Sequence, residues 1–158
     1  MRIEVADFIA PTGVVVGLRA KDKRQLVEEL AHRAGAMVGL DSGAILRLLH
    51  AREDLGSTGV GKGIAVPHAR VPGLRSVFGL LVRLEQPIDF AAVDDQPVDL
   101  VCLLLKPAAA TADYLPALAC VSRRLREKTV ADRLRAAWDG AALYAALTDV
   151  PPPHATVV

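Results

Sequence analysis

The spacing of hydrophobic residues changes along the chain, which predicts a mixture of strands and helices. The β-branched run at 14–18 (VVVGL) is typical of a short strand, and apolar residues within 26–38 then recur at helical spacing. Asp41 and Ser42 are favourable N-cap residues for a second amphipathic helix, which we expect to end near residues 51–52. The first third of the chain therefore predicts a strand followed by two helices.

Two longer apolar runs, 77–84 and 98–105, are continuous rather than alternating, which is typical of strands in a sheet that is covered on both faces. The segment between them, 87–97, is rich in proline and aspartate and predicts a turn-rich connection. Helical periodicity then returns in three segments, one from Thr111 onward and two shorter ones at 130–138 and 141–147.

These elements predict an α/β fold, a single-domain sandwich in which helices flank a central mixed β-sheet. No internal repeat or linker interrupts the chain, and its 158 residues are enough for one continuous core. We assign residues 1–150 to this domain and residues 151–158 (PPPHATVV) to a flexible C-terminal tail.

Charge and composition argue against several kinds of partner. The formal net charge is +1 and basic residues are scattered among acidic ones, so we expect no nucleic-acid binding. No apolar run approaches the roughly 20 residues that cross a bilayer. Glu4 and Asp7 also interrupt the N-terminal segment where a signal peptide needs an apolar core. We therefore expect a cytoplasmic protein without membrane insertion.

The two cysteines offer no candidate chemistry. Cys102 and Cys120 lie in apolar surroundings and lack the spacing of a metal site or a redox pair. We expect both to be buried reduced thiols.

The loop GSTGVGKGIAVPH at 56–68 matches the nucleotide-binding pattern G-x-x-x-x-G-K up to Lys62. A P-loop follows a buried strand, ends on Ser or Thr and opens a helix, because the helix N-terminus helps to hold the phosphates. Here a helical segment precedes the loop, Gly63 replaces the hydroxyl residue, and Pro67 stops the extended segment that follows. We therefore expect no nucleotide at this loop and interpret Lys62 as a solvated charge.

His68, at the end of the same loop, is a second candidate for chemistry. A neutral imidazole is a competent nucleophile near pH 7, and Arg52 offers a permanently charged fork of donors that suits a phosphoryl group. Hydroxyls and flexible glycine amides can add donors for an anion. From the residues alone, a structural histidine with satisfied hydrogen bonds and a phosphoryl-accepting histidine both stay open. The residues that can supply those extra donors are Ser57, Thr58, Gly59, Gly61 and Gly63.

Acidic residues near this loop have simpler interpretations. Glu53 and Asp54 directly follow Arg52, and we expect them to form a solvated pair or to brace the arginine. The pair Asp94 and Asp95 precedes Gln-Pro and is interpreted as part of a turn.

The run 52–70, REDLGSTGVGKGIAVPHAR, resembles the active-site signature of the enzyme IIA proteins of the bacterial phosphoenolpyruvate-dependent sugar phosphotransferase system. It is similar to the fructose/mannitol class, and especially to the nitrogen-regulatory members of that class. On either side, 7–31 resembles the family's first strand and helix, and 87–107 resembles its central hairpin and strand. The resemblance covers nearly the whole chain, up to about Leu147, and its core is specific.

The resemblance implies a phosphocarrier. In this family the histidine that matches His68 takes a phosphoryl group from a phosphohistidine on a small carrier protein, without a metal or another cofactor. The arginine that matches Arg52 would neutralise the charge of the phosphoryl group. Further positions of the signature are expected to order the loop or bind phosphate rather than act as nucleophiles: Ser57, Thr58, Gly59 and Gly61.

One position departs from the family pattern. Many members carry a second active-site histidine at the start of the helix after the central strand, where this chain has Tyr114. A tyrosine can donate a hydrogen bond but cannot become a cation near neutral pH. Its alternative interpretation is a half-buried aromatic residue at the helix start. The substitution favours a regulatory protein whose phosphorylation state is read by partners such as a sensor kinase or a transporter.

Three functions stay open at this stage. The favoured one is a nitrogen-regulatory phosphocarrier that acts through phosphorylation-dependent binding. The second is a sugar-transport enzyme IIA that passes phosphate to an enzyme IIB, and the third is a binding module that transfers nothing. Whether the protein acts as an enzyme, as a phosphotransferase component, depends on which of these holds.

Overall fold

The fold is organised around a central β-sheet. The structure is a computed structural model that describes residues 3–109 and 114–149, with the backbone alone at Tyr114. The predicted tail 151–158 and Thr111 lie outside the described residues. The strands are β1 (Val14–Leu18), β2 (Gly59–Gly61), β3 (Ile64–Ala65), β4 (His68–Val71), β5 (Phe78–Ile88) and β6 (Val98–Pro107).

The sheet combines parallel and antiparallel pairs. β5 and β6 are antiparallel neighbours, and β1 runs parallel to β5. On the other side of β6, β3 and β4 both run parallel to it, and β2 pairs antiparallel with β3. The sheet is therefore mixed, as predicted, and it holds β4 against the buried strand β6.

Helices complete the fold on both sides of the sheet. Asp22, Asp41 and Asp139 cap three of them, each accepting a hydrogen bond from the backbone amide three residues later. None of the helices within the described residues is long and apolar enough to cross a membrane. They are α1 (Lys23–Val38), α2 (Ser42–Asp54), α3 (Tyr114–Arg126), α4 (Lys128–Ala136) and α5 (Gly140–Thr148).

Alternate residues of the central strands face opposite sides of the sheet. Leu80 and Val82 pack with the apolar residues of α1 and α2, whereas Leu81 between them packs with those of α3, α4 and α5. Because both faces are covered, β5 and β6 are apolar at nearly every position of their central parts. The predicted single-domain α/β sandwich is confirmed.

Most predicted elements are found, with shifts at their ends. The strand at 14–18 is confirmed, and the strands predicted at 77–84 and 98–105 extend further. The second helix continues to Asp54, beyond its predicted end. Strands β2 and β4 were not predicted, because they are too short to show a hydrophobic period; His68 is the first residue of β4.

The two cysteines differ in burial. Cys102 is fully buried on β6, and desolvation raises the pKa of its thiol to about 12. Cys120 is only half-buried on α3, so the expectation that both are buried is wrong for this residue. Both are free thiols, as predicted.

Candidate functional site

His68 is fixed by its place in the sheet. It is the first residue of β4 and lies opposite Leu104 of β6 in the parallel register. Immediately before it, the carbonyl of the buried Pro67 accepts a hydrogen bond from the Leu104 amide at 2.9 Å. The backbone on both sides of the histidine is therefore held by β6, which is part of both hydrophobic cores.

The hydrogen bonds of His68 define its tautomer. Its Nδ1 atom lies 2.8 Å from the carbonyl oxygen of Val66, which can only accept, so Nδ1 carries the hydrogen. The Nε2 atom then has its lone pair in the ring plane and accepts from Nε of Arg52 at 3.3 Å. The ring therefore presents a nucleophilic nitrogen toward an arginine.

The surroundings favour the neutral form of this imidazole. Burial lowers the pKa of His68 below its ordinary value, and the nearby Arg52 guanidinium lowers it further. The hydrogen bond to Val66 and the carboxylate of Glu53 oppose this shift without reversing it. A lowered pKa leaves the ring uncharged and nucleophilic near neutral pH.

Arg52 is oriented by the end of α2. It lies in the last turn of that helix, and its Nη1 atom donates to the carbonyl of Gly56 at 2.9 Å. The chain then closes tightly, since the Gly56 amide donates to the carbonyl of Glu53 at 3.1 Å. The guanidinium is therefore held by its own loop while Nε points at His68.

The two hydroxyl groups of the loop bond within the protein. Ser57 Oγ donates to the carbonyl of Phe90 at 2.9 Å and accepts from the Gly59 amide at 3.0 Å. Thr58 is only 4% exposed, and its hydroxyl donates to the carboxylate of Glu53. In this structure both hydroxyls order the loop that precedes β2.

The burial and the partners of Glu53 differ from those that the sequence predicted. Its side chain is only 6% exposed, so it is not part of a solvated pair, and it does not brace Arg52. Its carboxylate accepts from the Thr58 amide at 3.1 Å and pairs with Nζ of Lys23 at 2.9 Å. Sequence reasoning missed Lys23, because a lysine in the first turn of a helix has no local signal for a distant carboxylate.

The glycines of the loop satisfy packing and backbone requirements. A β-carbon at Gly59 would lie 2.8 Å from Cβ of Ala92, so a side chain there has no room. Gly61, Lys62 and Gly63 have φ angles of 100°, 59° and 79°, which makes this tight turn dependent on glycine. These residues therefore shape the hairpin that leads to His68.

Side chains from two other segments hold the tip of that hairpin. The Lys62 amide donates to Asp94 at 2.9 Å. Asp94 lies in the predicted turn, which the bond from the Asp95 amide to the Ala92 carbonyl closes at 3.0 Å. The Lys62 carbonyl accepts from Arg135 at 2.9 Å, and Arg135 also pairs with Asp99 on β6. The side chain of Lys62 is exposed, as predicted, whereas the clamp through Arg135 was not anticipated.

The structure thus brings Arg52 and His68 into contact, whereas Ser57 and Thr58, in the loop after α2, bond to Phe90 and Glu53. Tyr114 is the first residue of α3, at the helix start that the sequence predicts for it. Only its backbone is described, so its role at the site stays a prediction.

The chain is similar to known proteins over nearly its whole length. The family model described as phosphoenolpyruvate-dependent sugar phosphotransferase system, EIIA 2, matches residues 7–150. A protein of Bradyrhizobium diazoefficiens named nitrogen regulatory protein is 45% identical over 148 residues, which cover 94% of this chain and 96% of the relative.

Solved structures show the same fold. The nitrogen regulatory protein IIA-Ntr of Neisseria meningitidis superposes with a TM-score of 0.85 at 30% identity, covering 91% of this chain and 99% of that one. The mannitol IIA protein of Escherichia coli shares the fold, with a TM-score of 0.71 at 19% identity over 88% of this chain and 98% of its own. The chain therefore belongs to the EIIA 2 family of the phosphoenolpyruvate-dependent sugar phosphotransferase system.

Proposed function

We propose that the protein is a phosphocarrier of the bacterial phosphotransferase system and that Nε2 of His68 accepts the phosphoryl group from a small phosphohistidine carrier protein. One observation carries the proposal. The Nδ1 atom of His68 is bonded to the Val66 carbonyl, so the nucleophilic lone pair lies on Nε2, the atom that faces Arg52.

The transfer requires little from the protein beyond position and charge. The lone pair of Nε2 attacks phosphorus, the nitrogen–phosphorus bond on the carrier breaks, and its electron pair stays on the carrier's imidazole. His68 keeps its Nδ1 hydrogen, so its ring becomes positively charged as the new bond forms. The Val66 carbonyl accepts from that hydrogen and stabilises the developing charge.

Arg52 supplies the positive charge for the phosphoryl oxygens. Its guanidinium already lies at Nε2 of His68, where the phosphoryl group would be attached. A fork of N–H donors can move from the nitrogen to the equatorial oxygens as charge builds on them. The loop residues hold Arg52 and His68 in place; in this proposal they are Ser57, Thr58, Gly59 and Gly61.

The relatives named nitrogen regulatory protein favour a regulatory role for this phosphorylation. Partners would then read the phosphorylation state of His68 through contact, and an enzyme IIB, a sensor kinase or a transporter are the classes we propose. The second candidate is a sugar-transport enzyme IIA that hands phosphate to an enzyme IIB. Tyr114, in place of the family's second histidine, favours the regulatory role.

The direct test supplies the protein with phosphoenolpyruvate, the system's first enzyme and its small carrier. We expect one acid-labile, base-stable phosphate on the wild type and none on His68→Ala. His50→Ala is the matched control, since His50 is another half-buried histidine, on α2, and its loss should leave labelling intact. An unlabelled wild type, or full labelling of His68→Ala, would refute the proposal.

A further inference from the structure

A charge pair lies at the end of α2, next to Arg52. Nζ of Lys23, the first residue of α1, is 2.9 Å from the carboxylate of Glu53 on α2. The Glu53 side chain is only 6% exposed and that of Lys23 is 27% exposed, so water screens the pair poorly. We refer to these two residues as the Lys23–Glu53 pair.

The pair contacts Thr58 directly and is linked to Ser57 through Phe90. Glu53 accepts hydrogen bonds from the amide and the hydroxyl of Thr58. Nζ of Lys23 lies 4.4 Å from the centre of the Phe90 ring, and the Phe90 carbonyl accepts from Ser57. Lys23 therefore links α1 to Glu53 at the end of α2 and to Phe90, whose carbonyl accepts from Ser57.

Glu53 poses an electrostatic problem for the site. It is the residue next to Arg52, and its negative charge is close enough to raise the pKa of His68, against the effect of burial. A phosphoryl group adds more negative charge to the same region. A carboxylate without its own cation would repel that group and would compete with His68 for the Arg52 guanidinium.

We propose that Lys23 is a positioning residue for phosphoryl acceptance. Its ammonium pairs with the Glu53 carboxylate and neutralises it. The Arg52 guanidinium therefore remains hydrogen-bonded to His68 and available to the incoming phosphoryl group. Lys23 acts through Glu53 and touches no reacting atom. The inference rests on the proposed function, because it concerns the same transfer to His68.

The test compares two neighbouring charge deletions on one helix. Lys23→Met removes the counter-ion, whereas Arg24→Met removes an equal charge whose described partner is Glu28 on the same helix. We expect Lys23→Met to lower the rate of phosphoryl acceptance at saturating carrier about tenfold, because a displaced Arg52 guanidinium would be less well oriented toward the phosphoryl oxygens. The carrier concentration for half-saturation should not change, and Arg24→Met should match the wild type.

Two further variants distinguish a rate loss caused by the unpaired Glu53 charge from one caused by misfolding. Lys23→Arg keeps the cation and should recover most of the rate. The double variant Lys23→Met/Glu53→Gln removes both charges and should be faster than Lys23→Met alone. A rate for Lys23→Met equal to that of Arg24→Met, or a slow Lys23→Met that neither variant rescues, would overturn the inference.

A readout on the unphosphorylated protein keeps this inference distinct from the proposed function. The Nε–H resonance of Arg52 and the ring nitrogens of His68 can be followed by NMR without any phosphate donor. We expect these signals to move in Lys23→Met and to stay in place in Arg24→Met. Unmoved signals would contradict the role of Lys23, whereas an unlabelled wild type would contradict phosphoryl acceptance itself.

Discussion

Nε of Arg52 lies 3.3 Å from Nε2 of His68, although the two residues come from different elements. The contact joins the end of α2 to the start of β4, and the glycine-rich hairpin lies between them in the chain. The nucleophilic nitrogen of His68 is therefore in direct contact with the permanently charged guanidinium of Arg52. That arrangement suits a group that arrives with negative charge and binds to the nitrogen.

Loss of the Arg52 guanidinium should slow phosphoryl acceptance more than any other single change around His68. We expect Arg52→Met to lower the rate about 10²- to 10³-fold, which is typical of removing one preorganised donor at a developing charge. Arg52→Lys should show an intermediate loss, because lysine keeps the charge without the fork of donors. Initial rates with phosphorylated carrier measure both. A wild-type rate in Arg52→Met would contradict the role of this residue.

The ring of His68 should titrate below the ordinary histidine value of 6.5, because burial and Arg52 disfavour its protonated form. The folded protein then binds this proton less readily than the unfolded chain does. The stability contribution of His68 is present above pH 6.5 and is lost as the pH falls through its lowered pKa. An NMR titration of the ring measures the pKa, and a midpoint at or above the ordinary value would contradict the electrostatic account.

The hairpin before His68 should be intolerant of a side chain at Gly59. We expect Gly59→Ala to destabilise the protein by about 1–3 kcal/mol, because the new methyl group would meet Ala92. Gly140→Ala is the matched control, since its β-carbon would have no atom closer than Val14 Cγ2 at 3.8 Å. Urea unfolding of both variants measures the difference. Equal stability of the two would argue against tight packing of the hairpin on the 89–92 segment.

The tyrosine at the start of α3 should limit onward transfer. Restoring the family's histidine with Tyr114→His supplies a group that can ionise near neutral pH, so transfer from phosphorylated protein to an enzyme IIB should rise about tenfold or more. Acceptance from the carrier should not change, which serves as the internal control. If onward transfer is already fast in the wild type, or does not rise in the variant, Tyr114 is not the limiting position.

Hydrophobic periodicity predicted the elements that are long and buried. The runs at 77–84 and 98–105 could be identified because both faces of the sheet are covered, which makes nearly every residue apolar. The amphipathic α1 and α2 were predicted for the related reason that one face of each is buried. A strand as short as β4 shows no hydrophobic period of its own and forms because β6 offers a partner.

The site could be predicted only in part. Arg52 and His68 are sixteen residues apart, and their contact could be expected only from the resemblance of the whole signature. The burial of Glu53 and its pairing with Lys23 depend on how α1 packs against α2, which no local pattern records. From the sequence alone a charged residue is predicted to be exposed to solvent, because the partner that permits its burial lies elsewhere in the chain.

The central claim is that Nε2 of His68 carries the phosphoryl group, and NMR of the phosphorylated protein with ¹⁵N-labelled histidine tests it most directly. The account predicts one phosphohistidine, at residue 68, with phosphorus coupled to Nε2 and the hydrogen retained on Nδ1 beside the Val66 carbonyl. Phosphorus on Nδ1 of His68, or on any other residue, would contradict it.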